Sequence, residues 1–242
     1  MITVKDLVFS FPETQEATIS HVDLTIKDNE FLTIVGKSGC GKSTLLRLLA
    51  GLLAPDSGEM LFNQQALNRS QVGYMPQKDT LLPWKTVKQN IRLAQTFDSS
   101  IQFSEEELDY WLEQANLSGY GEAFPDALSG GMKQRAAFLR TLLTQRPVLM
   151  LDEPFGALDS FTRNQMQEWL VHLWEQEKKT VVLISHDLEE ALLLSDRIAI
   201  MTKEGMHIFP VELPRPRHSK QRFSQEFIQQ REQLERILTN EK

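Results

Sequence analysis

The sequence predicts an α/β fold built on a parallel β-sheet, and two observations lead to that prediction. Four short apolar runs are continuous rather than alternating, which is typical of strands covered on both faces. They span residues 31–35, 148–151, 181–184 and 198–201. Helical patterns lie between these runs, as expected when crossover helices connect parallel strands. The length of 242 residues suits one large α/β domain or a core with a small inserted subdomain.

Segments outside these runs modify the plan. Residues 2–9 and 18–26 alternate in polarity, so we expect a partly exposed antiparallel β layer at the N-terminal end. The stretch before residue 148 shows helical patterns without a strand pattern, and Ser104 followed by three glutamates is a helix-start signal. We therefore expect an α/β core, an inserted helical subdomain and a C-terminal tail. Their expected bounds are 1–85 together with 146–210 for the core, 86–145 for the insertion and 211–242 for the tail.

Composition and charge exclude several classes of protein. The net charge of −7 argues against general nucleic-acid binding, which usually leaves a basic surface. No apolar run approaches the roughly 18–20 residues needed to cross a bilayer. The first ten residues lack a long apolar segment, so we expect no secretory signal there. Cys40 is the only cysteine, so the chain forms no internal disulfide, which fits a reducing cytosol.

A glycine-rich segment directly after the first apolar run matches the pattern G-x-x-x-x-G-K-[ST] without a gap. It consists of Gly36, Lys37, Ser38, Gly39, Cys40, Gly41, Lys42, Ser43 and Thr44. Leucines at helical spacing follow it, which completes the strand–loop–helix context in which this pattern binds phosphate. Backbone N–H groups and the helix N-terminus attract phosphate oxygens, Lys42 can reach the β- and γ-phosphates, and the Ser43 hydroxyl can ligate Mg²⁺. The sequence thus predicts a phosphate-loop NTPase core.

Polar residues also end the second and third apolar runs, where ligands bind in open parallel sheets. Asp152 and Glu153 follow the second run, and His186 follows the third. Adjacent strand residues point to opposite sides, so we expect Asp152 to serve Mg²⁺ and Glu153 to polarise an attacking water. His186 is placed to hydrogen-bond the γ-phosphate. The alternatives are that the acids only cap turns or helices and that the histidine is structural, but the neighbouring glycine loop favours the chemical reading.

A second helix start has the same features. Ser129 is a good N-cap, and Gly130 and Gly131 expose N–H groups ahead of a helical pattern that begins at Met132. Spacing alone leaves an anion site and an ordinary capped helix equally open. If it is an anion site, it either binds the same nucleotide or completes the site of a second chain.

The segment 128–135, which reads LSGGMKQR, resembles the signature sequence of ATP-binding cassette (ABC) ATPases. Gln77 stands where that family has its Q-loop glutamine, and Gly156-Ala157-Leu158-Asp159 is similar to its D-loop. His186 matches the family's switch histidine. The order and spacing of these motifs agree over residues 2–205.

The resemblance implies a RecA-like phosphate-loop fold and a head-to-tail dimer that binds two ATP molecules with Mg²⁺. Ser129, Gly130 and Gly131 of one chain would meet the γ-phosphate held by the other chain's glycine loop. The resemblance also implies a role for single residues outside that loop. Glu153 would be the general base, Asp159 would link the two chains, and Gln77 would join Mg²⁺ coordination and report to a membrane partner.

Finer similarity points to importers. Residues 81–84 (LLPW), Met132 and residues 213–217 (LPRPR) are similar to ATPases of nitrate, sulfonate, taurine and thiamine-precursor uptake systems. This implies an ATP-hydrolysing subunit, cytoplasmic and peripheral on the inner face of the membrane, with a separate permease and solute-binding protein. Two positions depart from the family pattern. Phe11 stands where a tyrosine often stacks on adenine, and Met132 stands where glutamine is common.

Other functions and local readings stay open at this stage. A non-transport ATPase of the same superfamily would usually show long insertions, a second cassette or a basic surface, and a regulatory module without hydrolysis would not need Glu153. Leu81, Leu82 and Trp84 either anchor the permease or fold into the core. The tail carries arginines and a lysine without an acid between them, at 215, 217, 220 and 222. We expect this tail to be solvated, with contact to anionic lipid as the alternative.

Overall fold

The structure is a computed structural model, and it describes residues 1–13, 16–97, 100–156, 158–202 and 205–240. Within these residues the strands, in chain order, are β1 (Ile2–Phe9), β2 (Ile19–Ile26), β3 (Phe31–Gly36), β4 (Ser57–Phe62), β5 (Gln65–Ala66), β6 (Val72–Met75), β7 (Val148–Asp152), β8 (Thr180–Ile184), β9 (Arg197–Met201) and β10 (Met206–Pro210). The α-helices are α1 (Lys42–Leu49), α2 (Val87–Ile91), α3 (Leu93–Phe97), α4 (Glu105–Gln114), α5 (Gly130–Leu142), α6 (Ser160–Glu177), α7 (Leu188–Leu194) and α8 (Gln225–Asn240).

A six-stranded sheet in the order β10-β9-β3-β8-β7-β6 forms the centre of the fold. All neighbours in it are parallel except β10, which pairs antiparallel with β9 at the edge. Every residue of β7 and β8 is buried, as the continuous apolar runs predicted. The predicted α/β fold is therefore confirmed, and the four predicted strands are neighbours in the sheet. Their carboxyl ends share one edge, because Ile184 aligns with both Ile34 and Asp152.

A second sheet, in the order β2-β1-β4-β5, is antiparallel throughout and forms the predicted N-terminal layer. Buried and exposed residues alternate along much of β2, as the sequence pattern indicated. The buried side chains of this layer pack with the leucines of α1 and with one face of the central sheet, in a single apolar cluster. The layer thus covers the helix that follows the glycine loop.

The chain between β6 and β7 contains helices α2 to α5 and no strand among its described residues, as predicted. Residues 98 and 99 of the predicted insertion lie outside the described residues. Capping boxes start α2 at Thr86 and α4 at Ser104, where the side chain accepts from a backbone N–H three residues later. The helical content of this stretch is confirmed, while the division of the chain at residues 85, 145 and 210 stays a prediction.

The C-terminal tail packs on the protein, and our expectation of a solvated tail is wrong. Residues Gln225–Asn240 form α8, whose Phe227 and Leu234 are buried, whereas Phe223 lies before the helix and is exposed. Arg217 is only 3% exposed. Backbone carbonyls explain this burial, because an arginine can satisfy several of them at once with its five donors. None of the described helices combines the length and the apolar character needed to cross a membrane.

Candidate functional site

The glycine loop joins β3 to α1 at the carboxyl edge of the central sheet. Gly41 takes φ 100°, a left-handed conformation that favours glycine, and a Cβ there would lie 2.8 Å from the Thr18 carbonyl oxygen. The buried Lys42 begins α1, and its Nζ donates hydrogen bonds to the carbonyl oxygens of Gly36 and Lys37, both at 2.9 Å. The ammonium is therefore held inside the loop, beside backbone that a phosphate would approach.

Ser43 and Asp152 meet across the sheet edge. The Ser43 hydroxyl donates to Asp152 Oδ1 at 2.9 Å, and the Tyr74 hydroxyl, at the end of β6, donates to Asp152 Oδ2 at 3.2 Å. Burial, followed by the charge of Asp152, raises the pKa of Tyr74, so this phenol stays protonated and donates at neutral pH. Hydroxyl and carboxylate oxygens are ligands that Mg²⁺ prefers.

The structure also tests whether these residues fit a magnesium ion. The described residues contain no group of three acidic, histidine or cysteine side chains able to hold a metal. Mg²⁺ is usually bound through one or two protein ligands together with phosphate oxygens and water, and the Ser43 hydroxyl and the Asp152 carboxylate are ligands of that kind. Ser43 and Asp152 would therefore hold the ion jointly with a bound nucleotide.

Glu153 lies one residue beyond Asp152 and faces different partners. Gln77 Nε2 donates to Glu153 Oε2 at 2.9 Å, and His186 Nδ1 lies 3.5 Å from the same oxygen. The backbone of Glu153 has φ 46°, which is uncommon for a residue with a side chain and clusters at functional sites. Asp152 and Glu153 thus do serve different neighbours, and Gln77, Glu153 and His186 form one polar group.

The start of α5 is built separately from the strand-end residues. The Ser129 hydroxyl accepts a hydrogen bond from the Met132 N–H at 3.3 Å, so the predicted N-cap is confirmed. A Cβ at Gly131 would lie 2.3 Å from Thr162 Cγ2, which makes this glycine a close-packing position against α6. A Cβ at Gly130 would meet no heavy atom within 4 Å, so this glycine faces open space.

The other predicted residues are placed as follows. Asp159 caps α6, because its carboxylate accepts from the N–H groups of Phe161 and Thr162. A hydrogen bond from the Thr162 side chain, followed by these backbone bonds, lowers the pKa of Asp159. Ala157, within the predicted D-loop, lies outside the described residues. Phe11 is half-buried and packs edge-on against Phe9, with ring centroids 4.9 Å apart. Cys40 Sγ lies 3.9 Å from Lys42 Nζ.

Several residues at this edge escaped the sequence analysis. Arg163 Nη2 donates to the Leu158 carbonyl at 3.1 Å, and its Nη1 lies 3.8 Å from Asp187 Oδ2, so it links the two loops that hold Asp159 and His186. The only feature of the sequence that could have indicated a role for Arg163 is its position one turn after Asp159, the N-cap of α6.

Arg140 was also missed. It holds the backbone just after Gln77, because its guanidinium donates to the carbonyls of Asp79 and Thr80 at 2.9 Å. It lies on α5, the helix that begins with the signature residues. Helix α5 therefore carries the signature residues at its start and, near its end, the arginine that holds the segment after Gln77.

Comparisons with known proteins identify the family. The model of the ABC transporter family matches residues 19–156. The chain is 40% identical over 238 residues to the formylaminopyrimidine import ATP-binding protein ThiZ of Halalkalibacterium halodurans, covering 98% of this chain and 94% of that one. It is also 40% identical to the aliphatic sulfonates import ATP-binding protein SsuB of Bacillus licheniformis, over 89% and 86% of the two chains.

Solved structures agree. The fold matches the dimeric post-hydrolysis structure of the ATP-binding cassette MJ0796 bound to ADP and Pi with a TM-score of 0.78 and 29% identity, over 88% of this chain and all of that one. It matches cbiO1 of Clostridium perfringens with a TM-score of 0.76 and 22% identity, over 98% and 97%, which supports the fold alone. With the glycine loop, the strand-end acids and the LSGG helix in place, the chain belongs to the ABC transporter family and is an ATP-binding subunit that hydrolyses ATP.

Proposed function

We propose that this chain is the ATPase subunit of an importer, in which two copies bind ATP head to tail and drive a separate permease. The observation that carries the proposal is the contact set of Glu153, which meets Gln77 and His186 on one side of the sheet edge while Asp152 holds Ser43 on the other. The importer assignment is supported by the names of the relatives ThiZ and SsuB, both import ATP-binding proteins. The transported solute does not follow from this chain.

Phosphate binding rests on the glycine loop. We expect Lys42 to exchange its bonds to the Gly36 and Lys37 carbonyls for the β- and γ-phosphate oxygens, with loop N–H groups completing the cradle. A bound Mg²⁺ would neutralise phosphate charge, with Ser43, Asp152 and Gln77 as its protein-side partners. Phe11 is assigned to adenine, because the face of a phenylalanine ring stacks on a base as that of tyrosine does.

Hydrolysis is assigned to Glu153 and His186. The Glu153 carboxylate lies beyond the strand end, where it can accept a proton from a water aimed at the γ-phosphate. His186 is 63% exposed at its side chain and 3.5 Å from that carboxylate, so it can donate to the γ-phosphate and respond when phosphate leaves. Gln77 touches the same carboxylate and is followed by the segment expected to meet the membrane partner.

The dimer is the remaining part of the site. Ser129, Gly130 and Gly131 begin α5, and the open space at Gly130 leaves its backbone free for a γ-phosphate brought by a second copy. Asp159 is the N-cap of α6, the helix whose Thr162 packs against Gly131, and it is assigned to the link between copies. The dimeric cassette MJ0796 supports a homodimer here.

The permease is expected to dock beside the segment that follows Gln77. Trp84 is 70% exposed, whereas Leu81 is buried, so the apolar segment divides between a surface anchor and the core. Aromatic side chains are favoured at interface centres, and Trp84 supplies one. The solute-binding protein would act on the far side of the permease.

The substitution Glu153→Gln tests the proposal, because it removes the proton acceptor and keeps the shape. We expect the variant to bind ATP, to lose at least about a hundredfold in turnover and to elute as a dimer with Mg²⁺ and ATP. The measurements are steady-state ATPase and size-exclusion chromatography with light scattering. Glu59→Gln, an exposed carboxyl in β4, is the matched control and should behave as wild type. A variant that hydrolyses normally would move the base elsewhere, and one that stays monomeric with ATP would contradict the dimer.

A further inference from the structure

The C-terminal segment 211–240, here called the tail, packs directly on α7. Buried apolar residues from both sides share one cluster: Ala191, Leu192, Val211, Leu213, Phe227 and Leu234. The helix α7 is only seven residues long and begins two residues after His186. A helix this short has little stability of its own, so its position depends on what packs against it.

Arg217 holds the end of α7. Its Nη1 donates to the carbonyl oxygens of Leu192, at 2.9 Å, and of Ser195, and its Nη2 donates to the Leu213 carbonyl at 2.8 Å. The last carbonyls of a helix have no partner within it, so this guanidinium completes the C-terminal end of α7.

Two further arginines of the tail hold the start of α7. Arg231 Nη1 donates to Glu189 Oε1 at 2.8 Å, and Arg222 Nε lies 3.9 Å from Glu189 Oε2. Arg222 also donates to Gln167 Oε1, and Gln167 Nε2 donates to Glu190 Oε2 at 3.0 Å. Glu189 and Glu190 thus both connect, directly or through one side chain, to the tail.

The first turn of α7 also anchors the loop that contains His186. Asp187 caps the helix by accepting from the N–H groups of Glu189 and Glu190, at 2.9 and 3.2 Å. Its own N–H donates to Ser185 Oγ at 3.0 Å. His186 lies between these two anchored residues, so a shift of the first turn of α7 moves the histidine relative to Glu153.

We propose that Arg222 and Arg231 are positioning residues for His186, so that the tail sets turnover at the ATP site by holding the first turn of α7. This rests on the role of His186 in the proposed function. The arginines lie far along the chain from the glycine loop and contact neither Lys42 nor Ser43 in the hydrogen bonds and ion pairs of the described residues. Their loss should therefore change kcat more than nucleotide binding.

The experiment uses the full chain with Arg222→Ala and Arg231→Ala combined in one double variant. This double variant is made in the wild-type background and in the His186→Ala background. We expect kcat for ATP to fall about tenfold in the wild-type background, within the range that misplacing a reacting group by an ångström can cost, with KM changed less than about twofold. In the His186→Ala background the same pair should change kcat less than about twofold, because the group it positions is gone.

Arg236→Ala is the matched control, since Arg236 is an exposed arginine of α8, the helix that carries Arg231, and pairs only with Glu232 one turn away in the described contacts. It should leave kcat unchanged. An unchanged kcat in the Arg222 and Arg231 double variant, or an equal loss with and without His186, would overturn the proposal while leaving the proposed function intact. If His186→Ala alone left turnover unchanged, the role of His186 itself would be wrong, and this inference would be overturned with it.

Discussion

The buried Glu190 makes the free energy of unfolding depend on pH, and the surroundings of its carboxyl group determine whether stability rises or falls with pH. The residue is 4% exposed within α7. Burial is the main cause that raises the pKa of Glu190 from 4.5 to about 7, and the charge of Asp187 adds to the rise. Hydrogen bonds from Ser185 and Gln167 and the charge of Arg163 oppose it. Because the folded-state pKa lies above the unfolded one, the folded chain binds more protons between these two values.

The sign and size of the effect follow from that difference. The contribution of Glu190 to the free energy of unfolding is fully present below about pH 4.5 and is lost as the pH rises to about 7, in total about 3 kcal/mol. The substitution Glu190→Gln removes this titration and keeps an acceptor for Gln167. Relative to wild type, the variant should therefore gain about 2 to 3 kcal/mol of stability between pH 5 and pH 8.

Urea unfolding followed by tryptophan fluorescence, at several pH values from 5 to 8, measures this difference. The quantity to compare is the free energy of unfolding of the variant minus that of wild type, because other titrating groups cancel in it. Glu232→Gln, at an exposed carboxyl on α8, is the control for the replacement of a carboxylate by an amide. A flat difference for Glu190→Gln would refute the reasoning.

Two other substitutions test the binding loop and the signature helix. Lys42→Ala should weaken ATP binding about tenfold to a hundredfold, since a charge-assisted contact is worth about 1.5–3 kcal/mol. Equilibrium titration measures the Kd for ATP, and an unchanged Kd would argue against the glycine loop as the site. Gly131→Ala should lower the free energy of unfolding by about 1–3 kcal/mol, because its Cβ would lie 2.3 Å from Thr162 Cγ2, while Gly130→Ala has room and serves as control. Adding Thr162→Ser, which removes that methyl group, should restore the stability of Gly131→Ala, and failure to do so would place the strain elsewhere.

In the six-stranded sheet, the strands that the sequence predicted are those buried along all or nearly all of their length. Continuous apolar runs specify β3, β7, β8 and β9, because both faces of each are covered. The strand β6 escaped because Gly73 and Tyr74 interrupt a run of only four residues. The edge strand β10 is largely exposed and ends at Pro210, so its pattern resembles a loop. Within the six-stranded sheet, interior strands were thus predictable from polarity, and the two edge strands were not.

The site divides in the same way. Ser43, Asp152, Glu153 and His186 follow interior strands, so the common sheet edge placed them together before any coordinates were known. The contact of Tyr74 with Asp152 could not be predicted, because it depends on the undetected strand β6.

The tail shows a different reason for failure. Its arginines looked solvated because no acid stands between them in sequence, yet the groups that bind them are distant in the chain. Arg217 binds carbonyls at the end of α7, and Arg215 pairs with Asp196 and lies over the Trp174 ring, 4.2 Å from its centroid. Backbone carbonyls leave no trace in a charge pattern, so a basic run in sequence does not by itself indicate exposure.

The two halves of the site are held by different kinds of contact, and this has a consequence for how substitutions act. Lys42 is buried and bonded to the loop backbone, and Ser43 is bonded to Asp152, so the half that we propose for phosphate binding is held by contacts within the chain. Glu153 and His186 lie 3.5 Å apart and are more open, and the histidine depends on α7 for its place. A change that loosens α7 should therefore reduce turnover before it reduces ATP affinity, whereas a change in the glycine loop should do the reverse.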